Sequence, residues 1–241
     1  MKRLFPILAV LTAIFLAYAL HLALGKATPT DAQQGDVYRI IYYHVPSAWT
    51  AFLLFSINFV ASITYLIRRK PKADMVALVS AEVGVVFCTI VLVTGPIWAR
   101  PVWGIWWAPG DIRLTSTLVL WLIYLSYLVL RRFSTSAQTQ MLAAALAVFG
   151  ALDVPLVYFS IWFFRTQHPQ PVIGGGGSMD PRMLHVLLIN WLAFLCFAFL
   201  VCWSRYRLEL LHREVEEAHA MKSLQSRAPA KTSLPLNRSP Q

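Results

Sequence analysis

The chain has 241 residues, of which 58% are hydrophobic and only 13% are charged. A soluble domain of this size could not cover so much apolar surface, so the composition excludes a soluble globular protein and predicts a membrane protein. The formal charge of +10 does not indicate a nucleic-acid-binding protein, because the basic residues flank apolar runs instead of forming one stripe.

Six apolar runs are each long enough to cross a bilayer as a helix, which requires about 20 residues. They predict an all-α fold, a polytopic membrane helix bundle with about six transmembrane helices. The first run is longer than the apolar core of a cleaved signal peptide, so we interpret it as a retained span. The runs cover residues 4–24, 46–67, 75–98, 114–130, 141–164 and 183–204.

The distribution of Lys and Arg between the loops predicts the orientation of the spans. The N-terminus, the second and fourth connections and the tail together carry 15 of these residues, and the other three connections carry six. Positively charged residues stay on the cytoplasmic side of a membrane. We therefore expect both termini in the cytoplasm and the longer loops, which hold Trp, Pro, Gly and His, on the outer face.

The chain is predicted to divide after the sixth run. Residues 1–204 form the predicted six-span membrane domain, and residues 205–241 form a cytoplasmic tail. The tail begins with a charged, helix-favouring stretch and ends in a segment rich in Ser, Pro, Ala and Lys, without apolar periodicity. This composition predicts a helix followed by a disordered end.

The connection between the third and fourth runs concentrates large aromatic rings. A belt of interfacial aromatics explains one or two Trp at a helix end, and that interpretation stays open. Four Trp in one short loop, held off a regular helical stripe by Pro and Gly, suit a planar, largely apolar ligand whose carboxylates could pair with arginines. The residues concerned are Trp98, Trp103, Trp106 and Trp107, with Arg100 and Arg113.

Two histidines flank this Trp-rich connection along the chain. His44 lies just before the second run and His168 lies in the loop after the fifth, whereas His21 and His185 lie near other outer helix ends. Judged singly, each is an interfacial, hydrogen-bonded histidine. Together they predict two imidazoles that hold a porphyrin iron from opposite sides. No Cys-x-x-Cys-His motif is present, so covalent haem attachment is not expected.

Two acidic residues, Glu82 and Asp153, lie inside apolar runs. Charge in hydrocarbon is costly, so each is expected to face the bundle interior and find a partner. One interpretation is a proton or ion pathway, and the other is a single structural hydrogen bond. The sequence Asp153-Val154-Pro155 also predicts a helix break near Asp153, because proline lacks the backbone N–H group.

Several elements between residues 38 and 190 resemble the CcmC family of cytochrome c maturation, whose members carry a Trp-rich loop called the WWD domain. One departure lies in that loop, where residues 106–111 read WWAPGD in place of the family's Trp-Trp-x-Trp-Asp. The matching elements are Tyr43-His44-Val45-Pro46, residues 95–98, residues 103–107, residues 111–115, residues 153–160 and His168.

The resemblance implies a haem-handling protein without catalytic activity of its own. His44 and His168 would be the axial ligands of a non-covalently bound haem b. The implied partners are the haem chaperone CcmE, the ABC-type subunits CcmA and CcmB, and the small protein CcmD, and the implied location is the bacterial inner membrane with the haem loops in the periplasm. The other residues of the implied haem site are Trp98, Trp103, Trp106, Trp107, Asp111, Arg100 and Arg113.

Two other functions stay open at this point. A haem lyase of the same superfamily would join haem to apocytochrome thiols, although such proteins resemble this chain only in a central part. A secondary transporter would use Glu82 and Asp153 as a relay, although the sequence contains no paired half-repeat with interrupted helices.

Overall fold

The computed structural model describes residues 4–134, 136–164, 167–168 and 178–227. Within these residues the chain is helical and contains no β-strand, and six helical stretches are long and apolar enough to cross a membrane, which confirms the predicted fold class. The helices are α1 (Leu4–Leu24), a 3-10 helix (Asp36–Ile40), α2 (Ile41–Arg68), α3 (Pro71–Trp103), α4 (Ile112–Phe133), α5 (Ala137–Ala151), α6 (Asp153–Phe163) and α7 (Pro181–Arg227).

The chain forms two compact units, Met1–Tyr206 and Arg207–Gln241. In the second unit the described residues are helical. An ion pair one helical turn apart joins Arg213 to Glu209 at 2.8 Å, and Nε2 of His212 lies 3.2 Å from the Glu216 carboxylate. Residues 228–241, which make up most of the segment predicted to be disordered, lie outside the described residues. The predicted division after residue 204 stays a prediction.

The third membrane helix is longer than the sequence predicts. It continues through Pro96 and Pro101 and ends at Trp103. The next residue, Gly104, caps the helix in a left-handed conformation (φ 76°), and its N–H donates to the Arg100 carbonyl. The predicted run ends at Trp98, whereas α3 continues to Trp103, so the expectation that Pro and Gly hold the Trp residues off a regular helical stripe is wrong for Trp103. Each proline removes one backbone donor, but neighbouring helices of a bundle can accommodate such a loss.

The fifth membrane stretch breaks where the sequence predicts. Helix α5 ends at Ala151 and α6 begins at Asp153, just before Pro155, which cannot donate a hydrogen bond to the preceding turn. The break packs closely against α4, because a Cβ atom at Gly150 would lie only 2.6 Å from Cγ2 of Ile123. Helix α4 consequently contacts both α5 and α6.

The centre of the bundle packs around two stacked rings. Phe55 on α2 and Tyr124 on α4 lie with ring centroids 3.9 Å apart and planes inclined by 14°. Gly84 on α3 makes room for them, because a Cβ atom there would lie 2.7 Å from Cε1 of Phe55. The buried apolar residues around this pair include Leu54, Leu78, Ala81, Phe87, Leu120, Tyr127, Ala143, Ala147 and Val157.

Ion pairs join helices inside the apolar bundle. Both guanidinium nitrogens Nη1 and Nη2 of Arg131 on α4 donate to the carboxylate of Asp74 on α3, and these side chains are only 7% and 3% exposed. Glu82 finds its predicted partner in Arg205, at 2.7 Å. Asp153 has a partner missing from one carboxylate oxygen. Its buried Oδ2 accepts no hydrogen bond from another described residue.

The Asp74–Arg131 pair yields a stability prediction. Substitution of Asp74→Ala would leave the Arg131 guanidinium buried and uncompensated, so we expect the free energy of unfolding to fall by about 3–5 kcal/mol. Denaturant unfolding of the detergent-solubilised protein, followed by circular dichroism, measures this change. As a control, Asp36→Ala removes the partner of Arg39 at an 89% exposed carboxylate and is expected to cost less than about 1 kcal/mol.

The double variant Asp74→Leu, Arg131→Met tests the physical reason for that loss. Replacement of both charges by apolar side chains removes the uncompensated cation, so this variant is expected to recover most of the lost stability. Equal stabilities for the single and the double variant would contradict the interpretation.

Candidate functional site

His44 lies in the first turn of α2 and packs against α3. Its Nδ1 lies 2.9 Å from Oγ1 of Thr94, within hydrogen-bonding distance. Its ring meets the Trp98 ring edge to face, with centroids 5.7 Å apart and planes inclined by 77°. The imidazole also lies close to the α3 backbone, since a Cβ atom at Gly95 would be 3.4 Å from its Cε1. These contacts fix the ring between the two helices.

His168 has a similar environment made of different residues. Its Nδ1 lies 3.4 Å from Oδ2 of Asp111, a charge contact that is longer than an ordinary N–H···O hydrogen bond. Its ring meets the Trp103 ring edge to face at 5.3 Å and 75°. The two histidines are near enough to interact electrostatically. Each imidazole therefore has one oxygen beside Nδ1 and one indole beside the ring, and Nε2 is the remaining ligand position.

Asp111 joins the start of α4 to the segment that carries His168. As the N-cap residue, its Oδ1 accepts the backbone N–H of Leu114 at 3.1 Å, and its Oδ2 accepts the backbone N–H of Gln167 at 3.0 Å. Burial alone would raise the pKa of Asp111, but the interaction with His168 and the two backbone hydrogen bonds outweigh it and lower the pKa to about 2. Asp111 is consequently an anion at every physiological pH.

The two arginines of the Trp-rich connection differ in environment. Arg113, in the first turn of α4, is half-buried and within electrostatic range of Asp111 and His44. Arg100 is exposed, and its guanidinium donates to the Gly104 carbonyl at the end of its own helix. Arg113 is thus within electrostatic range of His44, whereas the guanidinium of Arg100 is held at the exposed end of α3.

The four tryptophans also separate into two groups. Trp98 and Trp103 each contact one of the histidines, as described above. Trp106 is 60% exposed and Trp107 is half-buried, and neither has a ring contact among the described residues. The predicted site residues that the structure brings together are thus His44, His168, Trp98, Trp103, Asp111 and Arg113.

Sequence reasoning missed a contribution from the connection between α1 and α2. Oε1 of Gln34 accepts the indole N–H of Trp98 at 2.8 Å, and the Tyr38 ring meets Trp98 edge to face at 5.9 Å. Nothing in the local sequence indicates these contacts. Thr94 was also missed, although its position one helical turn before Trp98 places both side chains on the same face of α3.

Arg39 holds that connection in place. Its guanidinium donates to the carbonyls of Ala23 at 2.9 Å, Gly25 at 3.1 Å and Thr28 at 3.3 Å. The last carbonyls of a helix have no partner within the helix, and a cation there is favourable. Arg39 thereby caps α1 and fixes the segment that carries Gln34 and Tyr38 beside Trp98.

The set of donor atoms fits a haem better than a bare metal ion. Among the described residues, no three His, Cys, Asp or Glu side chains converge as a metal site would require. Two imidazoles beside apolar rings suit an iron whose other four positions are filled by a planar ligand. The half-buried Arg113 adds a positive charge suited to a carboxylate of such a ligand.

Comparison with known proteins identifies similar chains. The family model described as "Heme exporter protein C" matches residues 1–221. The chain is 35% identical to heme exporter protein C of Bradyrhizobium diazoefficiens over 92% of this chain and 84% of that protein. It is 33% identical to heme exporter protein C of Escherichia coli K12, over 84% and 82% of the two chains. A putative cytochrome c biosynthesis ccmC-like mitochondrial protein of Marchantia polymorpha is 35% identical over 74% and 75%.

The contacts of Asp111 predict a measurable local effect. Substitution of Asp111→Ala removes the helix cap and is expected to lower the free energy of unfolding by about 1 kcal/mol. It also removes the acceptor of the Gln167 N–H, so amide hydrogen exchange should become faster at Leu114 and Gln167. The control Asp111→Asn keeps an oxygen at the cap and should retain most of the protection at Leu114.

This interaction is also expected to depend on pH in one direction. The pKa of Asp111 is lowered from 3.8 to about 2 in the folded chain, so its stabilising contribution is fully present above about pH 4. The contribution is lost as the pH falls through 2. A difference in stability between wild type and Asp111→Asn that stayed constant as the pH fell from 4 to 2 would contradict this assignment.

Proposed function

Because the chain belongs to the heme exporter protein C family, we propose that it binds haem in cytochrome c maturation and hands it to a chaperone, without being an enzyme itself. The proposed ligand is a haem b held non-covalently between His44 and His168. The observation that carries the proposal is the matched environment of these two histidines, each with an oxygen at Nδ1 and an indole at its edge.

The proposed axial ligation requires neutral imidazoles with a free nitrogen. His44 and His168 would hold the group, and a haem, when bound, would supply an iron for their nitrogens. Histidines that ligate metals usually donate their other N–H to an oxygen of the protein, which fixes ring orientation. Oγ1 of Thr94 and Oδ2 of Asp111 occupy that position beside His44 and His168. The Nε2 atoms are therefore the proposed ligands.

The tryptophans are proposed to shield the porphyrin from water. Trp98 and Trp103 flank the two ligands, and the more exposed Trp106 and Trp107 would cover the outer part of the ring. An apolar surround strengthens charged contacts because it lowers the local dielectric constant. Arg113, half-buried beside the histidines, is the proposed partner of one haem propionate. Arg100, which donates to Gly104, is a weaker candidate for the other.

We also propose a location and a set of partners. The excess of Lys and Arg in the N-terminus, the α2–α3 and α4–α5 turns and the tail supports cytoplasmic termini and a periplasmic haem site in the bacterial inner membrane. Membership of the family supports transfer of the haem to the chaperone CcmE. It also supports a role beside the ABC-type subunits CcmA and CcmB and the small protein CcmD.

The two alternative functions lose support. A haem lyase would share only a central region with this family, whereas the family match runs from residue 1 to 221 of this chain. A transporter relay would need both intramembrane acids to exchange protons, but Glu82 is held in an ion pair with Arg205 at 2.7 Å. We therefore retain haem handling as the single proposal.

Substitution of either proposed ligand should change the haem spectrum. In visible absorption spectra of the purified protein, wild type is expected to show a low-spin haem in both oxidation states. His44→Ala and His168→Ala should each give a high-spin haem or lose it, because one axial position opens. The loss of affinity should exceed the roughly 10- to 100-fold effect typical of outer-shell residues.

Two exposed histidines provide matched controls. His21 on α1 and His185 on α7 lie outside the proposed site, so His21→Ala and His185→Ala should leave the spectrum unchanged. A wild-type protein that stays colourless with added haem, or a low-spin spectrum in His44→Ala, would refute the proposed ligation.

The arginine assignment gives a second test. Arg113→Ala is expected to weaken haem binding by about 10- to 100-fold, since a hydrogen bond to a charged group contributes about 1.5–3 kcal/mol. Arg100→Ala, which removes an exposed cation, should change the affinity less. Titration of the purified protein with haem measures both. The reverse order of effects would assign the propionate contact to Arg100.

A further inference from the structure

We propose that Thr94 is a positioning residue that fixes the tautomer of His44, with the proton on Nδ1 and the lone pair on Nε2. The inference about the tautomer rests on the hydrogen bonds of the protein itself. Its consequence for iron ligation rests on the proposed function.

The direction follows from the single proton of the Thr94 hydroxyl. Its Oγ1 lies 2.7 Å from the carbonyl oxygen of Ile90 and 2.9 Å from Nδ1 of His44. If the hydroxyl donated to Nδ1, two oxygens would face each other at 2.7 Å with no proton between them. If it donates to Ile90, both contacts are hydrogen bonds, and Nδ1–H of His44 is the donor to Oγ1.

The same helix contains a second threonine whose hydrogen bonds run in a known direction. Oγ1 of Thr89 donates to the Val85 carbonyl at 2.7 Å and lies 2.8 Å from Nε1 of Trp121. An indole N–H can only donate, so the Thr89 hydroxyl must accept from Trp121. Thr94 reproduces this arrangement with His44 in place of the indole.

The helix itself holds the Thr94 hydroxyl in this orientation. A threonine that donates to the carbonyl four residues earlier occupies one of its two favoured helical rotamers. Its oxygen then presents lone pairs away from α3, toward the neighbouring α2. Gly95 leaves the His44 ring within van der Waals distance of α3, and Trp98 meets it edge to face.

The tautomer decides what His44 can do. A neutral imidazole with its proton on Nδ1 has an unprotonated Nε2, which is the form that binds a metal through that atom. The hydrogen bond from Nδ1–H to an oxygen also increases the basicity of the ligand and orients the ring. His168 has a carboxylate in the corresponding position, so the two proposed ligands differ in donor strength.

The tautomer is measurable without haem. In the full-length, haem-free protein labelled with nitrogen-15 histidine, the ring-nitrogen shifts of His44, assigned by their absence in His44→Ala, distinguish the two tautomers. We expect protonated Nδ1 and unprotonated Nε2 in wild type and in Thr94→Ser. In Thr94→Val, which keeps the shape but removes the acceptor, the Nδ1–H form should no longer dominate.

Haem titration then tests the consequence for ligation. Thr94→Val should bind haem about 10- to 100-fold more weakly, the range typical of outer-shell partners of a metal ligand, and Thr94→Ser should restore binding. The midpoint potential of bound haem should rise in Thr94→Val, because a less basic ligand stabilises ferric iron less. Thr89→Val, which removes the equivalent hydroxyl from Trp121, should change neither the tautomer nor the potential.

The outcomes separate this inference from the proposed function. A wild-type His44 protonated on Nε2 would overturn the inference. If Thr94→Val left the haem affinity and the midpoint potential unchanged, the proposed effect of the Thr94 hydrogen bond on haem ligation by His44 would be wrong. If the expected tautomer were found in a protein that binds no haem, the assignment of Thr94 would stand and the proposed function would fail.

Discussion

The absence of water from the bilayer interior is the constraint on which this structure depends. A polar group placed there must find its partner within the protein. The buried Asp74 pairs with Arg131, Glu82 pairs with Arg205, and the amide nitrogen of Asn58 donates to the Ala77 carbonyl at 2.7 Å. Each of these contacts joins two different helices. Polar side chains thereby set how helices of nearly uniform apolar surface pack.

The same constraint shapes the candidate site. A half-buried imidazole has two nitrogens, and partners at Nδ1 come from Thr94 for His44 and from Asp111 for His168. The indole N–H of Trp98 likewise finds Gln34. With Nδ1 of each imidazole beside one of these oxygens, Nε2 is the nitrogen that remains for the proposed ligand. Structural stability and proposed ligand binding therefore draw on the same hydrogen bonds.

The sequence predicts the features that depend on composition along the chain and misses those that depend on contacts across it. Apolar runs are long and unambiguous, so the six spans are confirmed, and Pro155 marks the break before α6. The extension of α3 through Trp103 was missed because its prolines were interpreted as helix breakers. Gln34 and Thr94 lie 64 and 50 residues from the side chains they contact, and no local pattern signals such pairs.

The short turn between α2 and α3 has a consequence for the order of assembly. Only two residues separate Arg68 from Pro71, and one of them, Arg69, takes a left-handed conformation (φ 52°) that ends α2 with an N–H to the Tyr65 carbonyl. This hairpin alone brings together His44, Thr94 and Trp98. Half of the site can therefore form during synthesis, before the ribosome has made α4 and His168. A nascent chain would thus present a single imidazole first, and the second proposed ligand, His168, would be added only after α4 to α6 have been made.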